Sequence, residues 1–285
     1  MLDLVIPPVV AALAILLIHA YLGLHVIARQ VIFVDLAFAQ IAAFGTTVAL
    51  LMGIPMGTTL STVFALGATL VGALIFSLTR MPEGSAVPQE AIIGVVYVVA
   101  SAAVILLAGM TAEGTEHIKE TLTGTLIWVT WPTIAKMVGV YVLVGAFHVA
   151  LRRYFLAVSF HPENVTKVRL WDFLFYVSFG VVISFSVEVA GVLMVFSALV
   201  IPAVVAFFFT DRFGMAVAVA WGSGAVAVVG GIAASFYWDL ATGPLLVCAF
   251  GLLLVVAMVL RPALGVHPSS RIRVKALMAE DPGGE

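Results

Sequence analysis

Residues 191–209, Gly-Val-Leu-Met-Val-Phe-Ser-Ala-Leu-Val-Ile-Pro-Ala-Val-Val-Ala-Phe-Phe-Phe, contain no charged side chain. A helical stretch of about 20 apolar residues is the length that crosses the hydrocarbon core of a bilayer. The pattern recurs along the chain. Apolar runs of similar length occupy roughly 4–28, 31–53, 58–79, 90–109, 132–151, 171–187, 213–238 and 241–260, so the sequence predicts an all-α polytopic membrane protein with about 8–9 transmembrane helices, nine being the count of runs. Clusters of charged and turn-forming residues separate the runs: Arg29-Gln30, 53–57, 80–90, 111–120, 152–169, Glu188, Asp211-Arg212 and Asp239.

Composition agrees. Of 285 residues, 63% are hydrophobic and 10% charged, against about 25% charged in ordinary globular domains. The mean hydropathy is +1.21. A net charge of -2 excludes the basic surface that nucleic-acid binding needs. Cys248 is the one cysteine, lies within an apolar run and reads as a packing residue, since it can close no internal disulfide. The first run carries only Asp3 ahead of it and is too long for the apolar region of a signal peptide, so it is expected to remain as a span.

Charge sets a direction. With the N-terminus outside and nine crossings, Arg29, Arg80, Arg152, Arg153, Lys167, Arg169, Arg212, Arg261, Arg271, Arg273 and Lys275 all fall on the cytoplasmic side, and only Lys119 and Lys136 outside. Glu113, Glu116, Glu120, Glu188 and Asp239 then make the outer face acidic. The C-terminus is cytoplasmic, with residues 1–262 forming the membrane domain and 263–285 a flexible tail. No internal repeat is evident, which gives an inverted-repeat carrier no support.

Ionisable residues inside spans are functional candidates. Asp35 stands near the start of the second run with Gln40 deeper, about 140° apart on a helix. Two readings of Asp35 stand open: a residue that caps or snorkels beside Arg29, or one that lines a path. His19, His25 and His148 read as packing or interfacial residues. Glu113, Glu116, His117 and Glu120 follow an i, i+3, i+4, i+7 pattern, which would give one acidic helix face able to attract a cation or dock a partner, or else an ordinary solvated face. Ser159-Phe160-His161-Pro162-Glu163-Asn164 interrupts the largest cytoplasmic loop with the residues that begin a short helix. No phosphate loop, nucleophile elbow, zinc-protease motif or dinucleotide fingerprint is present, so the chain is not expected to be an enzyme, and no cofactor is expected on it.

At these residues the chain resembles the ABC-3 family, the membrane permeases of bacterial ATP-binding-cassette importers for zinc, manganese and iron. Ser159-Phe160-His161-Pro162-Glu163 is similar to the family's Ser-Phe-Asp-Pro-Glu, with His161 in place of Asp. Glu188 to Val195 followed by Ala198 to Ala203 resembles Val-Val-Gly-Val-Leu-Leu-Val and Leu-Leu-Ile-Ile-Pro-Ala. Asp239 to Pro244 resembles Asp-Leu-Pro-Thr-Gly-Pro, and Glu90 to Gly94 the acidic opening of the fourth span. In the second span the family has Gly-Asp-Ala-Leu-Ser-His-Ala; alignment on Gly45 sets Asp35 at the Gly, Leu36 at the Asp and Gln40 at the His.

The resemblance implies a homodimeric permease in the bacterial inner membrane. It would receive a divalent metal from an extracytoplasmic binding protein and pass it inward as two cytoplasmic ATPase subunits close beneath it. Asp35 and Gln40 would line the path and touch the metal transiently. Phe160, His161, Pro162 and Glu163, within a coupling segment of about 159–170, would seat on the ATPase. Zinc is the first expected cargo and manganese the second. The alternatives are a permease for a metal chelate of siderophore or cobalamin type, or a secondary transporter without an ATPase.

Overall fold

Each apolar run folds into a helix, because a backbone in hydrocarbon must satisfy its own hydrogen bonds. The computed structural model describes residues 2–81, 85–111 and 114–263. The expected tail lies outside the described residues from 264 on. The chain is all-helical: α1 (Leu2–Ala28), α2 (Val34–Leu51), α3 (Thr59–Leu78), α4 (Gln89–Ala108), α5 (Gly114–Thr123), α6 (Trp131–Ala150), α7 (Arg152–Phe160), α8 (Val168–Phe209), α9 (Phe213–Trp238) and α10 (Thr242–Ala263). Among the described residues, eight of these, all but α5 and α7, are long and apolar enough to cross a membrane.

The 42 residues of α8 unite two expected runs, 171–187 and 191–209. A straight helix of that length would reach about 63 Å, twice the hydrocarbon thickness. It is not straight. Gly191 takes φ 74° and ψ 159°, a conformation essentially confined to glycine. The two arms fold back on each other: the Phe175 ring lies 5.9 Å from that of His25, while Gly23, two residues earlier on α1, abuts the backbone of Leu199. In a straight helix Phe175 and Leu199 would stand about 36 Å apart. The two arms are therefore each of membrane-spanning length, which makes nine such segments among the described residues.

The turn at Gly191 is sealed by the chain between α5 and α6. Gly124, at φ 70°, packs its backbone against Ala190 and Gly191 so closely that a Cβ on either glycine would sit within 2.6 Å of the other strand of backbone. The N–H of Thr125 donates to the carbonyl of Val189 at 3.0 Å, which satisfies an acceptor freed by the break. Thr123 in turn meets Gly243 at the start of α10. The segment from Glu120 to Trp131 thus enters the bundle without crossing it.

α1, α2 and both arms of α8 form the interior, while α4 and α10 lie at the periphery. Exposed aromatics mark the two ends of the bundle, as they do at membrane surfaces. Trp128, Trp131, Tyr237 and Trp238 stand at one end. At the other, Tyr154 stacks on Trp171 at 4.1 Å. The first run packs against α8 and α9.

Candidate functional site

Asp35 lies in the first turn of α2 and is 1% exposed. Neither carboxylate oxygen has a hydrogen-bond partner among the described residues. The reading in which Asp35 caps or snorkels beside Arg29 fails, because Arg29 is taken by a different acid and Asp35 is turned into the bundle. The N-terminus of α2 is instead met from α4: Glu90 Oε1 accepts the Phe33 N–H at 2.9 Å, and its other oxygen is buried without a partner among the described residues. Gln40 is also buried, about 7.5 Å further along the helix axis. An unpaired carboxylate in an apolar bundle is costly as an anion. A cation placed beside it would offset that cost.

A second polar group was not singled out in the sequence. Arg29, just past the end of α1, donates through Nη1 to Asp172 Oδ1 of α8 at 2.8 Å and through Nε to the Ser159 hydroxyl of α7 at 2.9 Å. Its guanidinium lies 3.8 Å over the Phe175 ring. Burial pulls the Arg29 pKa below its ordinary value, and the Asp172 carboxylate offsets part of that pull. Arg80, following α3, pairs with the second oxygen of Asp172. His25 Nδ1 shares the Ser159 hydroxyl at 2.9 Å, and His148 Nε2 bonds Ser178 at 2.8 Å. The two histidine rings meet edge to face at 6.3 Å. His19 is buried too, with Nδ1 on the Ile15 carbonyl at 2.8 Å and its ring beside Tyr141. All three histidines are packing residues, and each makes a hydrogen bond as well. Asp172 opens the run 171–187, so the rule that flagged Asp35 would have flagged it as well.

The segment expected to start a short helix at Ser159 does so three residues later. Ser159 and Phe160 end α7, His161 caps it, and a 3-10 turn covers Pro162–Asn164. Ser159 is therefore no N-cap; it faces inward and is 4% exposed. Phe160 packs on Phe213 of α9 and on His25. Glu163 is exposed, with His161 Nδ1 3.4 Å from its carboxylate. The segment thus has an anchored root and a free tip.

The acidic pattern before α6 is only partly described. Glu113 lies outside the described residues, the side chains of Glu116 and His117 do too, and Glu120 is exposed on α5. Glu188 and Asp239 are exposed at the same end of the bundle. Among the described residues no group of three or more His, Cys, Asp or Glu side chains could hold a metal ion. Asp35 and Gln40 alone are too few for a resident metal centre.

Known proteins share the fold. The fold superposes on PsaBC from Streptococcus pneumoniae, solved in complex with Fab, with a TM-score of 0.73 over 95% of this chain and 94% of that one, at 17% identity. In sequence the chain is 22% identical to the manganese transport system membrane protein MntC of Halalkalibacterium halodurans, covering 90% of this chain and 87% of the relative. It is 24% identical to the chelated iron transport system membrane protein YfeD of Yersinia pestis, over 88% and 83%. Residues 1–261, the helical bundle almost to its last turn, match one family throughout. This multi-pass protein of the bacterial plasma membrane belongs to the ABC 3 transport family.

Proposed function

We propose that this chain is the permease of an ATP-driven importer and passes a divalent metal cation to the cytoplasm. The observation that carries the reading is Asp35, a carboxylate buried in the bundle with neither oxygen paired among the described residues. Such a group binds a dication in transit, and with so few ligands the site releases what it binds. Gln40 adds an amide oxygen deeper in α2.

The donor set also bears on the cargo. Carboxylate and amide oxygens suit manganese, whereas imidazole suits zinc. Together with relatives named for manganese and for chelated iron, this favours manganese ahead of zinc, the reverse of the order expected from the resemblance alone. The basic end of the bundle, where Arg29, Arg80, Lys167 and Arg212 gather, is assigned to the cytoplasm by the excess of positive charge. On that side Phe160, His161, Pro162 and Glu163 serve as the contact for a separate ATPase, in which ATP hydrolysis resides. The acidic opposite end, with Glu120, Glu188 and Asp239, receives the cation from a binding protein. A second copy of the chain completes the path.

Uptake into vesicles holding the chain and its ATPase, supplied in turn with free manganese, free zinc and chelated iron, tests this reading. Accumulation of free manganese at the lowest concentration supports it. Uptake of the chelate alone would transfer the chain to the chelate-importer reading, and flux without any ATPase to a secondary carrier.

A further inference from the structure

The buried polar group around Arg29 joins the inward root of the proposed ATPase contact, at Ser159 and at Phe160 beside His25, to the chain that leads to Asp35. Ser159 is the root of the segment that ends in the exposed Glu163, and its hydroxyl is held by two α1 groups, His25 Nδ1 and Arg29 Nε, both at 2.9 Å. Arg29 is held in turn by Asp172 at the base of α8, and Asp172 by Arg80 at the end of α3. Arg29 and Asp172 together thus join the ends of α1 and α3 to α7 and α8.

The other side of Arg29 leads to α2. Between Arg29 and Asp35 there is no slack. Gln30 takes φ 56°, and the turn is closed by Gln30 N–H to the Ile27 carbonyl at 3.0 Å, Val31 N–H to Val26 at 3.2 Å and Val34 N–H to Val31 at 3.1 Å. Val31 and Val34 are fully buried. The link from Arg29 to the first turn of α2, and so to Asp35, is thus closed by hydrogen bonds and by buried valines.

Two features make the group suited to discrete states rather than to a permanent clamp. Two guanidiniums share one carboxylate, so positive charge is in excess. Arg29 Nη2 is buried with no well-formed hydrogen bond among the described residues, and the Tyr176 hydroxyl beside the guanidinium is an alternative acceptor. In a poorly polarisable interior, exchange of one partner for another is favoured over intermediate positions that satisfy neither.

We infer that Ser159, Arg29 and Asp172 form the relay by which movement of the 159–164 segment reaches Asp35, with Ser159 and Arg29 as positioning residues that touch neither nucleotide nor cation. The inference rests on the proposed coupling role of that segment. It extends that role from the exposed tip to a continuous path through the bundle.

The test uses the complex of this chain with its ATPase in vesicles, and reads manganese accumulated per ATP hydrolysed. Ser159→Ala removes the hydroxyl, and Arg29→Lys keeps a charge near Asp172 but cannot bond Ser159 and Asp172 together. Both assemble with the ATPase, and the ratio falls at least about fivefold, the lower range of coupling between two sites. Ser159→Thr, which keeps the hydroxyl, restores the ratio. An unchanged ratio in both variants overturns the relay, as does loss of assembly in both, which would mark the group as a static support. Glu163→Ala, measured in parallel, separates the two claims. If it assembles and transports normally, the coupling role itself fails and the relay with it; if it weakens assembly while Ser159→Ala keeps the ratio, the relay alone fails.

Discussion

The guanidinium of Arg29 meets Asp172 at 2.8 Å, with both side chains no more than 5% exposed. A buried pair of this kind is costly to break from one side, since the remaining charge is left uncompensated. Asp172→Ala leaves two guanidiniums facing each other, and the folded protein in detergent loses about 3–5 kcal/mol. The double variant Arg29→Met, Asp172→Leu recovers part of that loss, because the fully buried guanidinium is gone and only the less buried Arg80 has lost its partner. Thermal or denaturant unfolding of the two variants measures both effects.

The fold-back of α8 depends on two glycines in contact. Gly191→Ala sets a Cβ 2.4 Å from the Gly124 nitrogen and also forces a side chain into a positive-φ conformation. The backbone strain alone costs about 1–3 kcal/mol. Gly124→Ala meets Ala190 at 2.2 Å and has a similar effect. Because the two backbones collide with either Cβ, combining the substitutions does not restore stability. Gly139→Ala, inside α6 at a position open to its surroundings, is the control and is at least as stable as the parent.

At the tip of the coupling segment, Glu163 is exposed and contributes as a surface charge does. Glu163→Ala weakens association with the ATPase by about 0.5–1 kcal/mol, a two- to fivefold change in affinity, and leaves membrane insertion intact. Titration of the purified subunits against each other reads it directly.

Orientation is open to labelling because the chain has one cysteine. Cys248 is exposed on α10, and Cys248→Ala leaves the fold unchanged. In that background Asn164→Cys is labelled by an impermeant reagent only from the cytoplasmic side, and Asp239→Cys only from outside. Both positions are exposed in the fold.

The helical spans were legible in the sequence because the bilayer leaves apolar helices few alternatives, and the run lengths follow from its thickness. Even the two arms of α8 stood apart as runs, with Glu188 and Gly191 marking the break. The sequence offered less about pairing. Asp35 and Arg29 are six residues apart and of opposite charge, which suggested a local pair, whereas Arg29 reaches Asp172 and Ser159, more than a hundred residues away. That choice is made by tertiary packing of α1 against α8, which periodicity does not encode. Ser159 was legible as part of a motif, but its inward direction was set by α7, a helix of nine residues too short to announce itself in an apolar pattern. Glu90 likewise gained its role from the approach of α4 to the start of α2.

The central claim is that the buried carboxylate of Asp35 meets a divalent cation in passage. Manganese uptake into vesicles containing the chain and its ATPase, compared between the parent and Asp35→Asn at equal protein and equal ATP hydrolysis, tests it most directly. Asparagine keeps the size and removes the charge. The account predicts a drop of about tenfold or more, equivalent to at least about 1.4 kcal/mol of lost stabilisation of the cation. Uptake equal to the parent would contradict it and leave Asp35 with a structural role alone.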